Sequence, residues 1–332
     1  MTRSTFLKII LNTLLGIILI FLWSRFVNLK EIFQNLSKVN LLYLIPVIFF
    51  MLASPFLRAV RLKIFLSEIK KIKLLNLFFL NGVAIMLNFF IPIRAGEIAK
   101  GVYLNTNYQL NMGKAVIWVF LDRFVDFLVV LFLATILLSL TPTSLSINII
   151  TIITIILTLA LILTWLIIYK SNFTNKLINF LSHLLIEKHI KIYFARFSHF
   201  ILDSFSILRR HPKDLILMAG VTILAYGADA AIWYFTFKSL GFSQDFFKMY
   251  LGQLLSALTY LIPAAPGYVG SAEASGTLIL SGVFGIDTNL SSAMIVLFHI
   301  LSALFVLILG LISVYNLKMN LGVILKKALR NR

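Results

Sequence analysis

The 332-residue sequence contains no cysteine, which excludes disulfides and thiolate chemistry. Its five histidines, at 183, 189, 199, 211 and 299, are scattered without metal-ligand spacing. Acidic residues are scarce: 12 Asp+Glu stand against 30 Lys+Arg, a formal net charge of +18. Charged residues make up 13% of the chain, about half the share found in soluble domains. There is no G-x-x-x-x-G-K-[ST] loop for nucleotide phosphates and no H-E-x-x-H helix for zinc. "GYVGSAEASG" lacks the G-x-S-x-G of a nucleophile elbow. No metal or cofactor is expected on these grounds, and any transport would run on a gradient or downhill.

What the sequence has in excess is apolar length. Hydrophobic residues make up 60%, and the mean hydropathy is +0.99. Apolar runs cover 6–23, 41–57, 74–93, 115–140, 149–169, 214–237, 249–284 (interrupted) and 291–316. These lengths suit helices rather than barrel strands, so the fold class is an all-α, polytopic integral membrane protein. It reads as one transmembrane domain over 1–332. The first run has basic residues ahead of it, Arg3 and Lys8, but no small-x-small cleavage site behind it, and is expected to stay as an uncleaved first helix. The interval 170–213 alternates basic residues with Phe, Leu and Ile, as in "KHIKIYFARFSHFILDSFSILRRHPKD". It reads as amphipathic helix on the cytoplasmic membrane surface. The basic excess suits anionic lipid, not nucleic acid.

Lys and Arg crowd three segments, 58–73, 170–213 and the stretch after 316, whereas 141–148 and 285–290 have none. The positive-inside rule puts the first three in the cytoplasm, with both termini, and the last two outside, as in a cell (inner) membrane protein. Simple alternation of spans cannot satisfy this. The conflict disappears with about six full spans and two re-entrant broken-helix hairpins, near 74–110 and 249–284, entering from opposite faces; ordinary spans that follow the charge rule only weakly are the alternative. Their turns fall at "IPIRAGE" and "PAAPGYVG", where Pro92 and Gly96, then Pro263, Pro266, Gly267 and Gly270, break the helix. Opposed interrupted segments mark transporter binding sites.

Charge inside apolar runs marks the candidate site. Asp122, Arg123 and Asp126 lie in "WVFLDRFVDFLVVLFLATILL". Asp122 and Asp126 share a helix face about 11 and 17 Å in from Ala115. Each such charge costs at least about 2.5–3.5 kcal/mol at the centre of a span, so partners or water are required. Arg123 and Arg94 are the positive candidates, and a purely structural ion-pair cluster is the alternative. Arg94 and Glu97, three apart, can pair with each other or hold a phosphate and a cation respectively. Ser271 reads as an N-cap that would leave free N–H groups for an anion, with Glu273 in the first turn either in the site or satisfying the helix dipole. Asn88, just before the first turn, can hydrogen-bond across it, and Asp229 lies mid-span in "ILAYGADAAIWYF".

"NFFIPIRAGEIAKGVYL", "LDRFVDFL" and "LIPAAPGYVGSAEASG" resemble the three signature blocks of the lysylphosphatidylglycerol synthase transmembrane (flippase-like) family. The family pattern is similar to P-x-R-x-G-E, then acid–Arg–x–x–Asp, then P-x-x-P-G-x-x-G-x-x-E. Asp122 stands where Glu is common. Bifunctional members resemble this region followed by an aminoacyl-transferase domain, which is not found before Arg332, so the resemblance implies the stand-alone, lipid-translocating part. The expected activity is movement between leaflets of a lipid with an anionic or zwitterionic, phosphate-containing head group, aminoacylated and glycosylated forms included. Arg94, Arg123 and the turn at Ser271 would take the phosphate, and Glu97, Asp122, Asp126 and Glu273 a cationic moiety or protons. A separate lipid-modifying enzyme is a conceivable partner. Two rivals are an embedded enzyme or accessory subunit acting on a lipid-linked glycan, with the carboxylates as acid and base, and a scaffold working through the basic 170–213 surface.

Overall fold

The structure is a computed structural model that describes residues 3–67, 70–91, 95–110, 112–184, 187, 191, 194, 198, 212–259 and 265–322. Among these residues all regular secondary structure is helical. Helix α1 (Arg3–Phe26) is followed by α2 (Leu29–Leu36), bent from it by 89°. Asn28 makes that corner. Its side chain accepts the Glu31 N–H at 3.3 Å, and its own N–H donates to the Asn289 side chain at 2.8 Å. A short 3₁₀ turn at Leu41–Tyr43 leads into α3 (Leu44–Leu66), and α4 (Leu74–Phe90) and α5 (Ala95–Tyr108) follow. Next come α6 (Met112–Leu140), α7 (Ile147–Tyr169) and α8 (Ser171–Leu184). The second half has α9 (Pro212–Ser239), α10 (Phe246–Thr259), the seven-residue α11 (Ser271–Thr277), which runs into a π-helical turn at Leu278–Val283, and α12 (Thr288–Asn316).

Among the described residues, five segments are long and apolar enough to cross a membrane: Leu41–Leu66, Leu121–Leu140, Ile147–Tyr169, Pro212–Ser239 and Thr288–Asn316. Counting the bent α1–α2 pair as one span makes six. The protein is a multi-pass helical membrane protein. Helix α7 carries Ile152, Ile155, Ile156 and Leu159 on its exposed surface, a stripe that suits lipid and not water.

Helices α4 and α5, and then α10 and α11, form two helix–break–helix units. Their helices of 17, 14, 14 and 7 residues are about 10 to 26 Å long, less than the roughly 30 Å of a hydrocarbon core. The first break lies at 91–94, where Pro92 and Arg94 fall outside the described residues, and Pro263 does so in the second. From the second break the description resumes at Ala265, with a 3₁₀ turn at Pro266–Tyr268. Of the amphipathic segment, α8 is described, and most of 185–211 lies outside the described residues.

One boundary differs from the expectation in a way that matters. The basic stretch from 58 reads as the start of a loop, but α3 continues to Leu66 and carries Arg58, Arg61 and Lys63 with it. The reason is periodic: Ala59, Leu62, Phe65 and Leu66 recur at helical spacing and are buried against Leu77, Leu80, Leu104 and Leu121. A second core gathers Trp233, Phe237, Met249, Leu254, Leu280 and Met294 from α9, α10, the π turn and α12.

The first unit folds back tightly because of Gly96. A Cβ there would overlap the backbone carbonyl of Ala84, so α5 can meet α4 only without a side chain. Gly220 in α9 is the contrast, since a Cβ there would meet nothing within 4 Å. Gly96→Ala should therefore destabilise the protein by about 1–3 kcal/mol, the usual range for overpacking, while Gly220→Ala should leave it unchanged or raise it by up to about 1 kcal/mol. Intrinsic-fluorescence melting of the two variants in detergent checks this; equal melting temperatures would contradict the close packing.

Candidate functional site

Helix α6 presents Asp122 and Asp126 on one face, four residues apart, and α3 supplies the cation that answers them. Arg61 donates from Nε to Asp122 at 2.8 Å and from Nη1 to Asp126 at 2.5 Å. Nη1 also donates to the hydroxyl of Thr222 on α9 at 2.9 Å, and that hydroxyl donates onward to the Met218 carbonyl at 2.8 Å. The Arg61 side chain is 1% exposed. Three helices are thus pinned by one guanidinium. Its planar fork can reach several acceptors at once, where an ammonium on the same stem could not.

Glu97, in the first turn of α5, extends the network. It pairs with Arg123 at 2.9 Å and with Lys100 at 3.7 Å, and Arg123 also reaches Asp126 at 3.4 Å. Asn88 spans the break: its side-chain oxygen accepts the Gly96 N–H at 2.8 Å and its amide donates to Glu97 at 3.4 Å. Among the described residues, Lys100, Glu97, Arg123, Asp126, Arg61 and Asp122 therefore form one chain of charge, three basic and three acidic groups, formally neutral. Among the described residues, buried Arg61 Nη2, Arg123 Nε and Glu97 Oε2 lack hydrogen-bond partners. The Arg123 side chain, at 38%, is the exposed member. The network opens there. The exposed part of Arg123 is the edge of the network, and the unpartnered atoms lie buried behind it.

Asp229 belongs to a separate pair. It accepts from Arg58 at 2.8 Å, and Arg58 also lies over the Tyr226 ring at 5.3 Å and contacts the Ser54 hydroxyl.

In the second unit, Gly267 (φ +70) and Gly270 (φ +79) both take the left-handed backbone that a side chain would oppose. Pro266 opens the 3₁₀ turn. Gly270, not Ser271, occupies the capping position, since α11 begins at Ser271 and the Ser271 hydroxyl donates back to the Tyr268 carbonyl at 2.9 Å. The Gly270 N–H is met by the chain's own Glu273 carboxylate, at 2.7 Å. The N–H of the capping residue itself is thus met from within. The other Glu273 oxygen contacts His299 Nδ1 on α12, and His299 Nε2 lies 2.7 Å from the Gly267 carbonyl. Phe89, beside Asn88, packs on both Tyr268 (5.9 Å between ring centres) and His299 (6.1 Å). The last turn of α4, the Pro266–Tyr268 turn and α12 meet at this ring.

Sequence reasoning names Glu97, Asp122, Arg123 and Asp126, and the structure brings them together; it keeps Glu273 and Ser271 in a second cluster and Asp229 in a third. Arg61, Arg58, Lys100, Thr222 and His299 escape that reasoning. Counting charges places Arg61 in a basic loop and leaves Arg123 and Arg94 as the partners of the aspartates. The helical spacing of the apolar residues around Arg61 is the signal that points to it, as is a lone imidazole inside the 291–316 run for His299.

Removing Arg61 alone takes from buried Asp122 its ion-pair partner and leaves Asp126 with Arg123 only. Arg61→Met should cost about 3–5 kcal/mol, and the triple change Arg61→Met, Asp122→Asn, Asp126→Asn should recover part of that loss. Melting temperature and monodispersity in detergent read the difference; a triple variant no better than the single would show that the charges are not what the site balances.

The sequence profile of the family described as the lysylphosphatidylglycerol synthase TM region matches residues 9–310. Comparison with curated proteins and with solved structures returns no match. With a match over that much of a chain built from membrane-spanning helices, the protein belongs to the lysylphosphatidylglycerol synthase transmembrane-region family.

Proposed function

We propose that the protein is a flippase-like translocase that moves a lipid with a phosphate-containing head group, unmodified, aminoacylated or glycosylated, between the leaflets of the cell membrane. The observation that carries this reading is the neutral charged network, buried in an apolar bundle and open at Arg123 with unused hydrogen-bonding atoms. A head-group phosphate would displace Glu97 from Arg123 in a bidentate contact, and Glu97, still beside Lys100, would be free to meet a cationic moiety. The acyl chains stay in the bilayer. Family membership supports the reading, since the family is one of membrane lipid metabolism or transport.

In this reading the two broken units are re-entrant hairpins that enter from opposite faces, with both termini in the cytoplasm, following the distribution of Lys and Arg. The carboxylates hold charge and position and break no bond, and no nucleotide, metal or nucleic acid takes part. A modified head group would come from a separate lipid-modifying enzyme.

Purified protein should carry a minor lipid enriched over the bulk membrane, read by mass spectrometry, and Arg123→Gln should lose it. In proteoliposomes, fluorescent phosphatidylglycerol followed by dithionite bleaching should equilibrate at least tenfold more slowly with Arg123→Gln, since a hydrogen bond to a charged group is worth about 1.5–3 kcal/mol. Bulk lipid in both preparations and equal bleaching rates would reject the proposal; turnover of a lipid-linked glycan in detergent, where no leaflets exist, would replace it with an enzyme.

A further inference from the structure

The contacts of His299 fix how many protons it shares with Glu273. The Gly267 carbonyl can only accept, so Nε2, 2.7 Å away, must carry a hydrogen. Nδ1 faces Glu273 Oε1, while Glu273 Oε2 already accepts the Gly270 N–H. A neutral imidazole protonated on Nε2 would turn the Nδ1 lone pair toward a carboxylate, and two acceptors cannot form this contact. One further proton must lie between them, either on Nδ1 with Glu273 ionised or on Glu273 with the ring neutral. The two forms differ in where the proton sits and agree in its number.

The pair is placed to act on the turn. The same two side chains bridge three points of the second break, the Gly267 carbonyl, the Gly270 N–H and helix α12. Around the ring, α4 contributes Phe89, the turn Tyr268 and α11 Glu273. Glu273 is the charged group acting on His299 among the described residues. No ion pair joins this pair to the cluster at Arg61 among the described residues, so gain or loss of its proton leaves the count of charges there unchanged.

We infer that Glu273 and His299 form a proton-binding site between the second hairpin and α12, that its single exchangeable proton locks the Pro266–Gly270 turn, and that release of the proton frees the turn during the transport cycle. The inference rests on the translocase reading and adds the coupling ion to it. The chemistry is a transfer to water with no bond other than N–H or O–H broken: proton off, ring and carboxylate part; proton on, they close.

Because the chain has no cysteine, Val269→Cys, at a residue 46% exposed in the native turn, gives a single nitroxide attachment point. In nanodiscs of phosphatidylethanolamine and phosphatidylglycerol, the label should be immobilised at low pH and mobilised as pH rises. Nitrogen-15 resonances of histidine, with His299 assigned by its loss in His299→Gln, should change over the same pH interval. The transition should disappear in His299→Gln and in Glu273→Gln. A pH-independent spectrum with both Glu273 and His299 in place, or a transition that survives both substitutions, overturns the proton site, and the first of these needs only Val269→Cys to fold. A third measurement separates the two proposals. With fluorescent phosphatidylglycerol in proteoliposomes, an imposed pH gradient should change the translocation rate for the native protein and not for His299→Gln. Translocation indifferent to the gradient removes the coupling and leaves the translocase; a coincident label and histidine transition without lipid movement supports the proton lock and removes the translocase.

Discussion

The contact of Arg61 with Asp122 and Asp126 is the constraint on which the arrangement of this protein depends. A carboxylate pair four residues apart on one helix is untenable in an apolar bundle unless a cation reaches both oxygens, and Arg61 does so from α3 while also engaging Thr222 of α9. Hydrophobic contact between transmembrane helices fixes little about register, because lipid is an equally good partner for Leu or Ile. Directional charge–charge contacts do fix it. Once α3 and α6 are registered, Arg123 projects toward the first broken unit and finds Glu97. The neutrality of the six-member network follows from the same need, since an unbalanced charge in such surroundings would draw in water or a counter-charge.

The close approach of α4 and α5 is the second requirement, and it is met by subtraction. Gly96 removes the side chain where α5 passes the Ala84 carbonyl, and Gly82 and Gly310 do the same where α4 passes Ser313 and α12 passes Met86. The last two of these approaches place α4 against α12, which is also the helix that carries His299. The two clusters therefore share a support, although no ion pair joins them among the described residues.

Much of this is legible in the sequence because the signals are energetic. Pro and Gly at the two breaks, and acids inside apolar runs, are costly enough to stand out singly, and Asp122, Asp126, Glu97 and Glu273 are found that way. Arg61 is not, since arginine at the margin of an apolar run has two readings. It can be a cytoplasmic anchor or a buried counter-ion, and counting charges favours the first. Only the burial pattern of Ala59, Leu62 and Phe65 around it decides for the second. The role of Ser271 is misjudged for a related reason: a Ser–x–Glu sequence resembles a helix start, but with a left-handed glycine ahead of it the carboxylate folds back onto the Gly270 N–H. Local propensity points to the right place for the helix start and to the wrong residue to cap it.

Phe89 has a mechanical consequence. Its ring lies against Tyr268 and His299, and the next residue back, Asn88, grips Gly96 and Glu97. Both belong to the last turn of α4, a stiff segment that cannot yield at one residue and stand still at its neighbour. The two breaks thus share a fulcrum: displacing the second turn tips α4, and with it the carboxylate that Arg123 holds, so that the polar groups on either side of that aromatic ring cannot be rearranged one without the other.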